Sequence, residues 1–317
     1  MENTDRFLIS VLAYGAAFSW PLTLAEIAER MRIFAPLSDI ATRLDGLVAT
    51  GVVRTSMGMY ALESVNTDVF DRRVEAEKTT AQKWRRMRRA AWWLQAVPFV
   101  SALLASGSLV TGTMDEASDW DVFVIARSGR MYTARLFLLA AARLMGRLRT
   151  KHDATAPDKF CFNHYVTTDG LSIRHRSLYV AQGIASMLPL YDPEEFLGRI
   201  RTSNEWTGEY VHGSSGALFV RREVIDSRLL AAVRYAIETL LASPVGERIE
   251  HLARSWQQRR IAREPATHAP GGRVIADDRE LEFHPRSFEA VAMSRYNTTL
   301  TRLNLGQYHE SDSGLNR

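Results

Sequence analysis

Asp119 and Asp121 are separated by one residue, and ten residues lie between Asp119 and the pair Gly107-Ser108. The two acids stand at the start of the apolar run DVFVIA, which reads as a β-strand. In a strand residues i and i+2 share a face, so both carboxylates project together while Trp120 points away. Two carboxylates this close on an apolar strand repel one another unless a cation lies between them, and a divalent metal removes the conflict. Upstream, the β-branched and apolar run FVSALLA ends in Ser106-Gly107-Ser108, as a buried strand feeding a tight turn would. Glycine has no Cβ to keep backbone N–H groups away from phosphates, and Ser108 adds a hydroxyl donor. Together these parts suit a metal-bound triphosphate. The competing account, two acids capping a strand at a sheet edge, predicts no metal effect.

The spacing of Gly107-Ser108 and Asp119-Trp120-Asp121 resembles the nucleotidyltransferase superfamily of the polymerase β type. More widely the chain resembles a bacterial group of nucleotidyltransferase-domain proteins with an N-terminal winged helix. That likeness is carried by FSWPLTLAEI (18–27), SGSLVTG (106–112), SDWDVFVIARSGRMYTARLF (118–137), KFCFNHYVTTDGLSI (159–173) and SLYVAQGIASMLPLYD (177–192). The resemblance implies an α/β (α+β) fold: a nucleotidyltransferase-type mixed sheet with helices, preceded by a winged-helix unit and followed by a helical region. It implies Mg²⁺-dependent transfer of a nucleoside monophosphate from a nucleoside triphosphate to an acceptor hydroxyl, with release of pyrophosphate. Asp119 and Asp121 would then be catalytic and hold the metal, and Gly107 and Ser108 would bind the nucleotide. Small molecule, protein side chain and RNA end are all compatible acceptors.

The superfamily usually has a third carboxylate on a later strand. In FCFNHYV the corresponding position is Asn163, which is neutral and cannot act as a general base. Asp153, Asp158 and Asp169 flank that strand and are the substitutes in a different register. Asn163 is therefore the third catalytic candidate, and its neutrality supports an alternative reading: a catalytically weak or inactive nucleotide sensor or regulator. His164 points to the opposite sheet face by alternation and reads as a packed core histidine. His152, His175 and His212 show no ligand spacing and read as surface or structural. Arg135, near the start of the helix after the Asp-x-Asp strand, is a candidate phosphate partner or a helix-surface arginine.

The elements around these residues divide the chain into five segments. Residues 1–63 read as three helices and a hairpin around Gly58, the order of a winged helix. This segment has five arginines, no lysine and seven acids, a net charge of −2, which argues against DNA contact and for an interaction or positioning role. Residues 64–98 form a connecting basic helix; KTTAQKWRRMRR (78–89) has six basic residues and no acid, so it is either a solvated face or a phosphate or RNA contact. Its Trp84, Met87, Ala91 and Leu94 should pack on the core, with Trp92-Trp93 buried. The transferase unit spans 99–192. A helical region follows over 193–263, whose helix 225–260 has Ile225, Leu229, Leu230, Val233, Ile237 and Leu240 as expected core. Residues 264–317 read as loop and partly disordered tail.

With 46% hydrophobic and 24% charged residues the chain can bury a core, which excludes disordered and collagen-like classes. The net charge of +4 is too small to mark a nucleic-acid binder. The single cysteine, Cys161, rules out an internal disulfide or a multi-cysteine zinc site and suits a reducing cytoplasm. The start MENTDRFLIS lacks the basic opening of a secretory signal. The stretch 90–105, interrupted by Gln95, Pro98 and Ser101, is shorter than the roughly 20 residues of a spanning helix.

Overall fold

The computed structural model describes residues 3–150, 152–212, 223–285 and 287–306. The chain opens with α1 (Asn3–Ala17), whose Leu8, Leu12 and Ala13 are buried at helical spacing. After β1 (Leu22–Thr23), Thr23 starts α2 (Leu24–Arg30) with a capping box: its hydroxyl accepts from the Glu26 N–H, and the Glu26 carboxylate accepts from the Thr23 N–H. α3 (Leu37–Ala49) buries Ile40 and Leu44. β2 (Val53–Ser56) and β3 (Met59–Leu62) form a hairpin around Met57-Gly58, both at positive φ, and β1 pairs with β3 to give a three-stranded antiparallel sheet.

α4 (Val69–Ala91) buries Trp84, Met87 and Ala91, as their spacing predicts, and a 3₁₀ turn continues to Ala96 with Leu94 buried. Trp93 departs from expectation and is 57% exposed. The tighter turn after Ala91 uses its inward positions for Leu94 and Gln95, which leaves Trp93 outside.

The second sheet has six strands in the order β7-β4-β5-β6-β9-β8. Along the chain come β4 (Val100–Ala105), the short α5 (Ser108–Thr111), β5 (Trp120–Ala126), α6 (Met131–Leu144), β6 (Phe160–Thr167), α7 (Leu178–Ser186), β7 (Leu188–Tyr191) and α8 (Phe196–Ser203). α9 (Arg228–Leu241), α10 (Pro244–Arg263), β8 (Arg273–Ala276), β9 (Glu280–His284) and α11 (Glu289–Arg302) complete it. Only β5 and β6 run parallel, joined through α6; every other neighbouring pair is antiparallel. One sheet face packs Val122 and Val124 against α4 and α6, and the other packs Phe123 and Ile125 against α7 and α8.

Two expectations for the C-terminal half are corrected. The helix expected over 225–260 is two helices bent by 92° at a break ahead of Pro244, and of its apolar stripe only Leu230 is buried. Ile225, Leu229, Val233 and Leu240 face outward, at 77%, 72%, 42% and 75% exposure, because no element among the described residues packs over that side. Helical periodicity identifies an apolar stripe but not what covers it. Residues 273–302 are not a loop: β9 pairs with β6, β8 pairs with β9, and α11 packs on α1, while 264–272 hold a 3₁₀ turn and the expected loop. The run Glu280-Leu281-Glu282-Phe283-His284 does alternate polar and apolar residues, but Glu280 and Glu282 are buried where that pattern would turn them to solvent. The tail HESDSGLNR lies outside the described residues. Among those residues no single helix is long and apolar enough to cross a membrane.

Candidate metal and nucleotide site

Antiparallel pairing brings the end of β4 to the start of β5. Ala105 stands opposite Val122, and the Ser106 N–H donates to the Asp121 carbonyl at 3.1 Å, so the Gly107-Ser108 turn lies beside the acidic pair. Gly107 has φ 63° and ψ −145°, and a Cβ built on it would sit 2.4 Å from Asp121 Oδ2. Both facts require glycine: the backbone conformation disfavours L side chains, and the carboxylate occupies the space. The sequence reading assigned this glycine to phosphate approach; the contact it makes is with Asp121.

Asp119, Asp121 and Cys161 each place a ligand atom within 4.8 Å of the others. Burial, and then the charge of Asp119, push the Asp121 carboxyl above the usual carboxylate range. This is the electrostatic conflict inferred from the spacing, and a cation relieves it. The donor set fits a hard divalent ion through its two carboxylates. Burial, then the charges of Asp121 and Asp119, raise the Cys161 thiol, so it stays protonated beside them.

Asn163 does reach the pair: its Nδ2 donates to Asp121 Oδ1 at 2.9 Å. It does so through a bulge. Asp121 stands opposite Cys161 and Phe123 opposite His164, so β6 uses three residues where β5 uses two. The extra residue corrects the strict alternation assumed for His164, which now lies on the Asp121 face, in ring contact with Phe123 (centroids 4.6 Å apart).

Arg135 is not at the site. It lies on α6, over the rings of Tyr165 and Phe283 on the opposite side of the sheet, with Nη1 donating to Gln257 at 2.6 Å. Proximity to the Asp-x-Asp strand in sequence becomes separation in space because α6 crosses over the other face. Asp153 accepts from Thr150 and Lys159, Asp158 pairs with Lys83 and Arg86, and Asp169 accepts from Ser128 beyond the far end of β6. None of the three joins the ligand group, and among the described residues no further carboxylate does. His152 and His212 are exposed, and His175 is buried against Glu289 at 2.9 Å.

Two contributors carry no sequence signal. Arg149, between α6 and β6, donates to Asp119 Oδ2 at 2.5 Å and lies 3.8 Å from Cys161 Sγ. Lys83, read as part of a basic face, is buried and donates to the carbonyls of Glu116 and Ser118 at 3.0 and 2.8 Å, fixing the loop that leads into Asp119. Comparison of the chain with protein-family models, curated proteins and solved structures gives no match.

Proposed function

We propose that the chain is a Mg²⁺-dependent nucleotidyltransferase. The observation that carries this reading is the close approach of the Gly107 turn to Asp121, which puts a glycine turn and two candidate metal-ligand carboxylates at one place. Asp119 and Asp121 hold the ion, which when bound neutralises charge developing on the phosphates. The Gly107-Ser108 turn presents its N–H groups and the Ser108 hydroxyl to the β and γ phosphates. Arg149, which pairs with Asp119, would be placed to bond a phosphate oxygen if a metal held Asp119 instead. The acceptor oxygen bonds to the α-phosphorus as the bond to the bridging oxygen breaks and pyrophosphate leaves. With Cys161 protonated and Asn163 neutral, the acceptor proton passes to water or to the substrate's own phosphate. The three N-terminal helices with the β1-β3-β2 sheet support the winged-helix reading, and the charge of −2 supports contact with protein or positioning over DNA contact.

A non-catalytic nucleotide sensor is the second reading, favoured by the absence of a third carboxylate among the described residues around the pair. Pyrophosphate release measured with each of the four triphosphates, Mg²⁺ and a cell extract, with mass spectrometry of products, separates the two. A transferase releases pyrophosphate and loses at least about a hundredfold of that rate in Asp121→Asn. A sensor is thermally stabilised by ATP and Mg²⁺ without turnover, and full turnover in Asp121→Asn sinks the site assignment.

A further inference from the structure

A second group of ligand-type side chains lies on the β6–β9 pair, apart from the acidic pair. His164 stands directly opposite Glu282, and Glu280, Glu282 and His284 follow one another at every second position on one face. Ligand atoms of His164, Glu280 and Glu282 all lie within 4.8 Å of one another, and His164 Nε2 is 2.9 Å from Glu280 Oε1. Bonds of about 2.0–2.2 Å from imidazole and carboxylate to one ion place such atoms roughly 3 Å apart, so this spacing needs only small closure.

Three buried carboxylates meet here, with His164, His284, His175 and Arg273 as their nitrogen partners. Glu280 and Glu282 are each 2% exposed and Glu289 is 1% exposed, while the buried guanidinium facing them is Arg273. Arg174, which approaches Glu280 at 3.5 Å, is half exposed and shared with Asp277. Glu282 Oε1 accepts from Arg273 Nε at 2.8 Å and is 2.9 Å from His284 Nδ1. Its other oxygen, Oε2, is buried with no hydrogen-bond partner among the described residues. A buried carboxylate oxygen without a donor costs free energy that a bound cation would recover.

We propose that His164, Glu280 and Glu282 form a second cation site, for a divalent ion of the Zn²⁺ type, with His284 at its solvent edge. An imidazole with two carboxylates suits Zn²⁺ over Mg²⁺, because Mg²⁺ takes oxygen ligands and keeps its waters. The ion crosslinks β9 to β6 next to the bulge that presents Asn163, so its role is structural and separate from nucleotide chemistry.

The test is zinc quantified after equilibrium dialysis of the full chain carrying Asp119→Asn and Asp121→Asn, which disables the first site. One Zn²⁺ per chain is expected in that background, and adding His164→Gln should weaken it by at least about tenfold. His164→Gln leaves the Arg273–Glu282 pair intact, whereas Glu282→Gln also removes one of the two carboxylates that pair with Arg273, so the first carries the test. Co²⁺ added to the metal-free wild-type chain should give a visible absorption band that His164→Gln removes. No bound zinc in the double variant, undiminished binding after His164→Gln, or no Co²⁺ band each overturns the site.

Discussion

Asn163 is the residue at which the expected chemistry and the observed geometry differ most usefully. It occupies the place of a third carboxylate yet donates to Asp121, so in this state it positions a ligand instead of being one. Asn163→Asp adds a third charge beside Asp119 and Asp121 and is expected to tighten Mg²⁺ by calorimetric titration, while Asn163→Leu should weaken it. Weaker Mg²⁺ binding in Asn163→Asp would mean that the amide donor is indispensable. Gly107 makes a sharper case. Gly107→Ala meets a positive φ and the Asp121 carboxylate together, so chemical denaturation should show a loss of about 1–3 kcal/mol along with weaker Mg²⁺ binding. Unchanged stability and affinity would contradict the close approach.

At the scale of elements, the site depends on how a loop and a bulge are held. The segment between α5 and β5 carries no regular structure, and Lys83 on α4 holds it through two carbonyls while pairing with Asp158 at 3.3 Å. Lys83→Met removes these donors from a buried position, which leaves the two carbonyls without their donor and Asp158 with Arg86 in place of two close cations. A loss of about 1–3 kcal/mol is expected, with Mg²⁺ affinity falling as Asp119 shifts. If Lys83→Met binds Mg²⁺ as the wild type does, the loop does not depend on α4. The same lysine shows why a basic run is a poor guide to a binding face: of the six charges in 78–89, this one points inward.

Across the whole molecule, buried ion pairs join segments far apart in sequence. Arg73 on α4 pairs with Glu26 of α2 at 2.8 Å and stacks over Trp20, tying the N-terminal unit to the rest. Glu289 on α11 accepts from Arg273 and lies against His175, and α11 itself closes on α1 through Tyr14 and Tyr296. Burial alone would raise both carboxyls. For Glu26 the charges of Arg73 and Arg30 outweigh it, for Glu289 the hydrogen bonds of His175, Ser177 and Arg273 do, and both fall below the usual 4.5. A carboxyl lowered on folding stabilises above its unfolded value and loses that contribution as pH falls toward the folded value. Thermal unfolding midpoints should therefore drop as pH is taken below about 4.5, and Glu26→Gln should flatten part of that slope. A slope identical to wild type would remove Glu26 from the linkage.

Local rules made the acidic pair legible. Period-two alternation put Asp119 and Asp121 on one face, the strand-turn-strand order put Gly107 beside them, and helical spacing identified the buried side of α4, because each depends only on neighbours along the chain. The bulge in β6, the arrival of Arg149 at Asp119, the inward Lys83 and the addition of β9 and β8 to the sheet were not legible. Each comes from the packing of distant segments, whose energy lies in which surfaces meet and which buried charges find partners. The outward stripe of α9 shows the same limit from the other side: the sequence by itself determined its amphipathic pattern, and only the tertiary structure decided that no other part of the described chain covers it.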